Sequence, residues 1–232
     1  MLKCLYLMYR RSTGGSILQQ ELFLSGLDRR RISMKMIIMG GFLGAGKTSL
    51  VLQMARYLAG RNPDKQAKVV ILENEIGEVS IDDKILKSGG FEVQTMFSGC
   101  VCCTMAGELM GNICQIMERF DPDWIIMEAT GVAYPRRIKE NLVQYLQMES
   151  CQIFCAADAK RWKRLKNAME VFVRDQLDCA DVVFINKIDA VDGKTLEEVD
   201  ESVRRFNTDA KRFCVSAANT IDEAVWKDIF SA

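Results

Sequence analysis

The amino-acid sequence predicts an α/β fold, a three-layer sandwich with a mostly parallel central sheet and helices on both faces. Two observations lead there. From residue 34 onward, short apolar runs alternate with amphipathic, helix-like stretches, the pattern of strands joined by helical crossovers. Several of those runs, such as Val182-Val183-Phe184-Ile185, are apolar at every position, which suits strands buried on both sides rather than on one.

The expected strands are Met36–Met39, Val69–Leu72, Glu92–Met96, Trp124–Met127, Ile153–Ala157, Val182–Ile185 and Arg212–Val215. Helices are expected near Thr48–Ala59, Ala106–Phe120, Pro135–Leu146, Trp162–Asp178 and Thr195–Phe206. There are no internal repeats and no low-complexity segments. One domain is expected over residues 34–232. Residues 1–33, with Gly14-Gly15 and Arg29-Arg30-Arg31, stand outside the alternation. They read either as an N-terminal helix or strand packed on the domain, or as an extension preceding a native start at Met34.

The 232 residues are enough for a sizeable core. Lys plus Arg equals Asp plus Glu at 31 each, so no net charge draws the chain to nucleic acid or to a membrane. The basic cluster from Lys160 to Lys166 reads as a solvated helix face. No apolar run approaches the ~20 residues that span a bilayer, and Met1–Arg11 lacks the features of a signal peptide. A reducing cytoplasm is the expected compartment. Nine cysteines and no histidine leave thiolate, carboxylate, backbone or water as the ligands of any metal.

Gly41-Phe42-Leu43-Gly44-Ala45-Gly46-Lys47-Thr48 satisfies G-x-x-x-x-G-K-[ST], with a strand before it and a helix after. Gly41, Gly44 and Gly46 let the backbone curl, so that the N–H groups around Ala45 point inward at phosphates. Lys47 supplies a mobile positive charge to the β and γ phosphates, and Thr48 offers a Mg²⁺ ligand. Ser49 opens a helix whose N-terminus favours anions. The fold expectation thereby sharpens to a P-loop NTPase.

Asn186-Lys187-Ile188-Asp189 follows the buried run Val182–Ile185. The Asp189 carboxylate can accept from guanine N1–H and N2. Against adenine it would meet a lone pair, costing on the order of 1–3 kcal/mol or more. Asn186 would contact the base and tie its loop to the phosphate loop, while the Lys187 stem covers a ring face. Ser216-Ala217, after the last strand, is a candidate backbone contact to the guanine oxygen. GTP is therefore the expected nucleotide.

Acidic residues cluster after the second strand, in Glu73-Asn74-Glu75-Ile76-Gly77-Glu78-Val79 and Asp82-Asp83. A strand's C-terminal end is where open α/β sheets bind ligands. Glu75 or Asp82 is a candidate Mg²⁺ contact, direct or through water. Glu128-Ala129-Thr130-Gly131 ends the strand Trp124–Met127. Glu128 can hold a Mg²⁺-bound or attacking water, and the Gly131 N–H can meet the γ-phosphate and turn away when that group leaves. No histidine or glutamine stands obviously placed to orient water, so slow intrinsic hydrolysis is expected.

Cys100-Val101-Cys102-Cys103 puts three thiols within four residues. Thiolates favour Zn²⁺, Cu⁺ and other soft or borderline ions. A closed zinc site needs four ligands, so the remainder would come from Glu73 or Glu78, from a second subunit, or from water. An incompletely held ion suits a metal that is handed on. The other reading is buried or redox-active cysteine without metal. Cys4, Cys114, Cys151, Cys155, Cys179 and Cys214 read as packing residues.

In this order, Gly40–Thr48, Glu73–Glu78, Gly99–Cys103, Glu128–Gly131 and Asn186–Asp189 resemble the CobW-like metallochaperone GTPases, relatives of the hydrogenase and urease nickel-insertion GTPases. The resemblance covers about residues 34–219. It implies GTP hydrolysis coupled to delivery of zinc, cobalt or nickel to a client metalloenzyme, or to cofactor assembly, with nucleotide-dependent homodimerisation common among relatives. Three departures are visible: no length for the second, C-terminal domain of many members, no histidine-rich stretch, and Ala129 where the family usually has a hydroxyl. The alternative is a regulatory or assembly GTPase with structural or redox cysteines.

Overall fold

The central strand β1, Lys35–Gly41, is buried at six of its seven positions. Its odd and even residues nucleate two separate cores. Met36 and Ile38 face one cluster, while Ile37 and Met39 face the other. That is the expected consequence of a period-2 strand apolar on both faces. The computed structural model describes residues 34–61, 67–73, 92–95, 106–146 and 148–231, the side chains of 92–95 and 106–108 excepted.

The other strands are β2 (Val69–Glu73), β3 (Glu92–Thr95), β4 (Trp124–Glu128), β5 (Ser150–Asp158), β6 (Val182–Asn186) and β7 (Lys211–Val215). They form a seven-stranded sheet in the order β3-β2-β4-β1-β5-β6-β7. Every neighbouring pair is parallel, so each connection is a crossover. The helices are α1 (Lys47–Gly60), α2 (Ala106–Phe120), α3 (Pro135–Tyr145), α4 (Trp162–Ala168), α5 (Glu170–Leu177), α6 (Gly193–Phe206) and α7 (Glu223–Phe230), with a 3-10 turn at Ile188–Ala190.

On one face α1 buries Leu50, Val51, Met54 and Leu58, and α7 adds Trp226, Ile229 and Phe230. The opposite face takes Ile113 of α2, Leu142 of α3, Val173 and Leu177 of α5, and Val203 of α6. Each fully buried aliphatic or aromatic side chain contributes about 1.5–3 kcal/mol. The three expected layers are therefore present, with the sheet wholly rather than mostly parallel among the described residues.

Two elements depart from the sequence reading. The single helix expected over Trp162–Asp178 is two helices, because Met169 sits at φ −143°, ψ 45°, outside the helical basin. Helix α7 has no counterpart in the sequence reading. It starts at Asp222, whose side chain accepts from the Ala224 N–H, a normal N-cap.

Register places the functional rim. Glu73 lies beside Glu128, and Glu128 beside Met39. Gly41 lies beside Ala156, and Asp158 beside Asn186. Polar residues thus close four strands, β2, β4, β5 and β6, around the glycine end of β1, at the edge where open parallel sheets take ligands.

Candidate nucleotide site

The loop leaving β1 folds over the N-terminus of α1. Gly46 has φ 91°, and a Cβ there would lie 2.3 Å from Asn186 Nδ2. Only glycine meets both demands. Gly41 and Gly44 also have positive φ, at 125° and 70°. Ala45 is fully buried and its N–H donates to the Phe42 carbonyl at 3.1 Å. Ser49 lies exposed in the first turn of α1.

Lys47 is buried, its Nζ donating to the Phe42 carbonyl at 3.3 Å. Desolvation lowers its pKa, partly opposed by the charge of Glu128 and by Cys155. A buried ammonium with one long hydrogen bond among the described residues is a cation set up for an anionic ligand.

The Thr48 hydroxyl donates to Glu128 Oε1 at 3.0 Å across 80 residues of sequence. Glu73, 4% exposed, ends β2 in register with Glu128, so both side chains leave the sheet on the same face, toward α1. Thr48, Glu128 and Glu73 therefore share one corner. Beyond Glu128, a Cβ on Gly131 would lie 2.5 Å from the Leu43 backbone nitrogen, so the Glu128–Gly131 turn rests directly on the phosphate loop. Thr130 Oγ1, within that turn, is buried with no hydrogen-bond partner among the described residues.

On the other side, Asn186 is 2% exposed and bridges two loops. Its Nδ2 donates to the Ala45 carbonyl and its Oδ1 accepts from the Ala217 N–H, both at 2.8 Å. The Ala217 amide is thereby committed inside the protein. Asp189 is exposed and accepts from the Ser216 hydroxyl. Lys187, at φ 66°, sends Nζ to the Gly44 carbonyl at 2.5 Å.

Four residues that sequence reasoning did not single out complete the scaffold. Asp158, its side chain fully buried, accepts from Lys187 Nζ at 2.8 Å and from Arg161 Nε at 2.7 Å. Burial pushes its carboxyl up, but the hydrogen bonds from Lys187 and Arg161 prevail and hold it below the usual range. Arg161 also donates to the Leu43 carbonyl at 2.7 Å. Gln53 of α1 donates to the carbonyls of Ala217 and Asn219 and accepts from the Ile221 N–H. Gln176 of α5 accepts from the Gly41 N–H at 2.8 Å. Of these, Asp158 carried a usable signal, a carboxylate closing the apolar run Ile153–Ala157.

Cys100, Cys102, Cys103, Glu75, Glu78 and Asp82 lie outside the described residues. Among the described residues, no three of His, Cys, Asp and Glu gather as a metal-binding group. Burial pushes the Cys151 and Cys155 thiols up to about 11 and about 12, and Cys179 and Cys214 upward too. These stay protonated at neutral pH; Cys151, Cys155 and Cys179 pack against the core as expected, whereas Cys214 is exposed and corrects that expectation. No helix among the described residues is long and apolar enough to cross a membrane.

A parallel α/β sheet carrying this loop after its central strand defines the class, a P-loop nucleotide-binding protein. Residues 35–213 match the family described as CobW/HypB/UreG, nucleotide-binding domain, and the chain belongs to that family. The zinc chaperone YeiR of Escherichia coli is 30% identical over 169 residues, covering 72% of this chain and 49% of that protein. The zinc chaperone YjiA of the same organism is 28% identical over 190 residues, covering 77% and 56%. The chain thus spans about half the length of these curated relatives. The hydrogenase maturation factor HypB of Archaeoglobus fulgidus shares the fold with a TM-score of 0.61 at 15% identity, covering 89% of this chain and 92% of that one.

Proposed function

We propose that this chain is the GTP-binding and GTP-hydrolysing part of a metallochaperone, in which nucleotide state governs the binding and release of a transition metal. The observation that carries this reading is the Thr48–Glu128 hydrogen bond. It joins the phosphate loop to the strand end that begins the Glu128–Gly131 turn, so whatever occupies the loop bears on that turn. Thr48 and Glu128 fit a hard divalent cation by their oxygen chemistry, and the buried Thr130 hydroxyl, without a hydrogen-bond partner among the described residues, fits a ligand at this end. Mg²⁺ held there would supply charge neutralisation across the β and γ phosphates.

The remaining roles follow from charge and reach. Lys47 stabilises the charge developing on the transferred phosphoryl group, Glu128 holds water, and the Gly131 N–H answers to the γ-phosphate. Asp189 selects guanine, and Asn186 holds the base loop to the phosphate loop, with Lys187 covering the ring and Ser216-Ala217 beside it. Cys100, Cys102 and Cys103 take the cargo metal, zinc first because the similar chaperones are named for it, with cobalt and nickel as alternatives. Glu75 or Asp82 serves the Mg²⁺ side and Glu73 or Glu78 the cargo side. A client metalloprotein receives the ion, and a nucleotide-dependent homodimer would complete the three-thiolate site. Metal content and GTP turnover, measured for wild type beside Cys102→Ser, test this. Loss of metal with retained nucleotide binding is expected; unchanged metal content would favour the regulatory GTPase.

A further inference from the structure

Gln176 is 1% exposed, on a helix that contributes no residue to the phosphate loop itself. Its amide nevertheless ends on two separate parts of the proposed site, the phosphate loop and the turn that holds Gly131. Oε1 accepts from the Gly41 N–H at 2.8 Å, and Nε2 donates to the Ala133 carbonyl. Ala133 closes the turn that holds Gly131, its own N–H donating to the Thr130 carbonyl at 3.0 Å. One turn earlier on the same helix, the Phe172 ring packs edge-on against Phe42 of the phosphate loop (5.2 Å) and Tyr134 after the Gly131 turn (5.4 Å). Residues 172 and 176 are i, i+4 neighbours on one helix face. Gly40 leaves the space for this contact: a Cβ there would lie 2.7 Å from Pro135 Cγ and 3.1 Å from Gln176 Oε1.

We propose that Gln176 is a positioning residue for GTP hydrolysis, a strut that sets the separation between the phosphate loop and the Gly131 turn; this rests on the GTPase reading above. Its chemistry is restrictive. The partners are one donor, Gly41 N–H, and one acceptor, Ala133 C=O, so the site requires an acceptor and a donor on one rigid planar group. Only glutamine supplies both at this length at neutral pH. Protonated glutamate is its isostere, whereas ionised glutamate turns an oxygen toward the Ala133 carbonyl. Ionisable groups on the described elements that meet here include Lys47 of α1, Cys155 of β5, Arg136 of α3, Arg174 and Asp175 of α5, and Asp178 and Cys179 just beyond it, with Arg136 paired to Asp178 at 2.9 Å.

The test is the pH profile of kcat for Gln176→Glu and Gln176→Met beside wild type, from about pH 6 to about pH 9, with KM and GDP affinity measured in parallel. Gln176→Glu is expected at least tenfold below wild type at the alkaline end and within about twofold at the acid end. Its KM and GDP affinity stay within about twofold throughout. Gln176→Met, lacking donor and acceptor, stays low at every pH. A Gln176→Glu to wild-type ratio that does not change with pH overturns the strut, whether the ratio is high or low. Should Gln176→Met unfold, the Gln176→Glu profile alone decides. Wild type that fails to hydrolyse GTP would instead sink the functional reading, a separate and distinguishable outcome.

Discussion

Asn186→Ala is the perturbation whose cost can be worked most directly. The wild-type side chain makes two hydrogen bonds at 2.8 Å, to the Ala45 carbonyl and from the Ala217 N–H. Both partners are buried, at 0% and 8% exposure, so water does not replace what is lost. A buried group left unpaired costs about 1–3 kcal/mol, and a carbonyl tolerates it better than an N–H. A total of about 3 kcal/mol is expected, with guanine-nucleotide affinity falling at least tenfold because Gly46 loses its neighbour. Asn186→Asp refines the test. It keeps the bond from Ala217 but sets a carboxylate oxygen against the Ala45 carbonyl, so its folded pKa rises above the unfolded ~3.9. A raised carboxyl contributes fully below the unfolded value and loses that contribution as pH rises through the folded one. Asn186→Asp should therefore lie closer to wild type at about pH 5 than at about pH 7. Urea unfolding followed by tryptophan fluorescence reads both variants. A loss under about 0.5 kcal/mol for Asn186→Ala, below the cost of even one unpaired buried group, would refute the reasoning.

Asp158→Asn should destabilise by about 2 kcal/mol, less than for a fully buried pair because Arg161 and Lys187 keep partial access to water. With its carboxyl held low, Asp158 contributes above the unfolded carboxyl value and loses that contribution as pH falls through the folded one. Acid unfolding of the variant should accordingly be flatter below about pH 4. Gly131→Ala would drive a methyl into the Leu43 backbone. Single-turnover GTP hydrolysis should fall about 100-fold or more while GDP affinity, set by the rest of the loop, holds within about threefold; equal losses in both would count against a switch role.

The strands and the phosphate loop were legible because each is carried by contiguous residues, whereas the order of the strands across the sheet is set by contacts distant in sequence. Asn186-Lys187-Ile188-Asp189, also contiguous, was legible too, and the bridging role expected of Asn186 is met by its bond to Ala45. Gln176 was not legible, because its partners Gly41 and Ala133 are 135 and 43 residues away, and a glutamine in an amphipathic helix reads as surface. Gln53 and Arg161 are hidden in the same manner. Helix α7 was missed although Trp226, Ile229 and Phe230 follow i, i+3, i+4 spacing, since eight residues after a polar loop offer little periodicity. The Met169 break left no Gly or Pro to mark it, as backbone angles there depart from the helix without a residue that demands it.

The proposed coupling of nucleotide state to metal binding makes zinc affinity depend on which nucleotide is bound. Zinc affinity of the full chain, measured by competition with a chromophoric chelator in Mg²⁺ with GDP and again with a non-hydrolysable GTP analogue, tests it most directly. Linkage of 1–3 kcal/mol corresponds to about a 5- to 150-fold change. The account predicts affinities differing at least about fivefold between the two states, and abolished by serine at Cys100, Cys102 and Cys103. Equal affinities in both states would contradict it, because a nucleotide can shift the metal site only through differential binding.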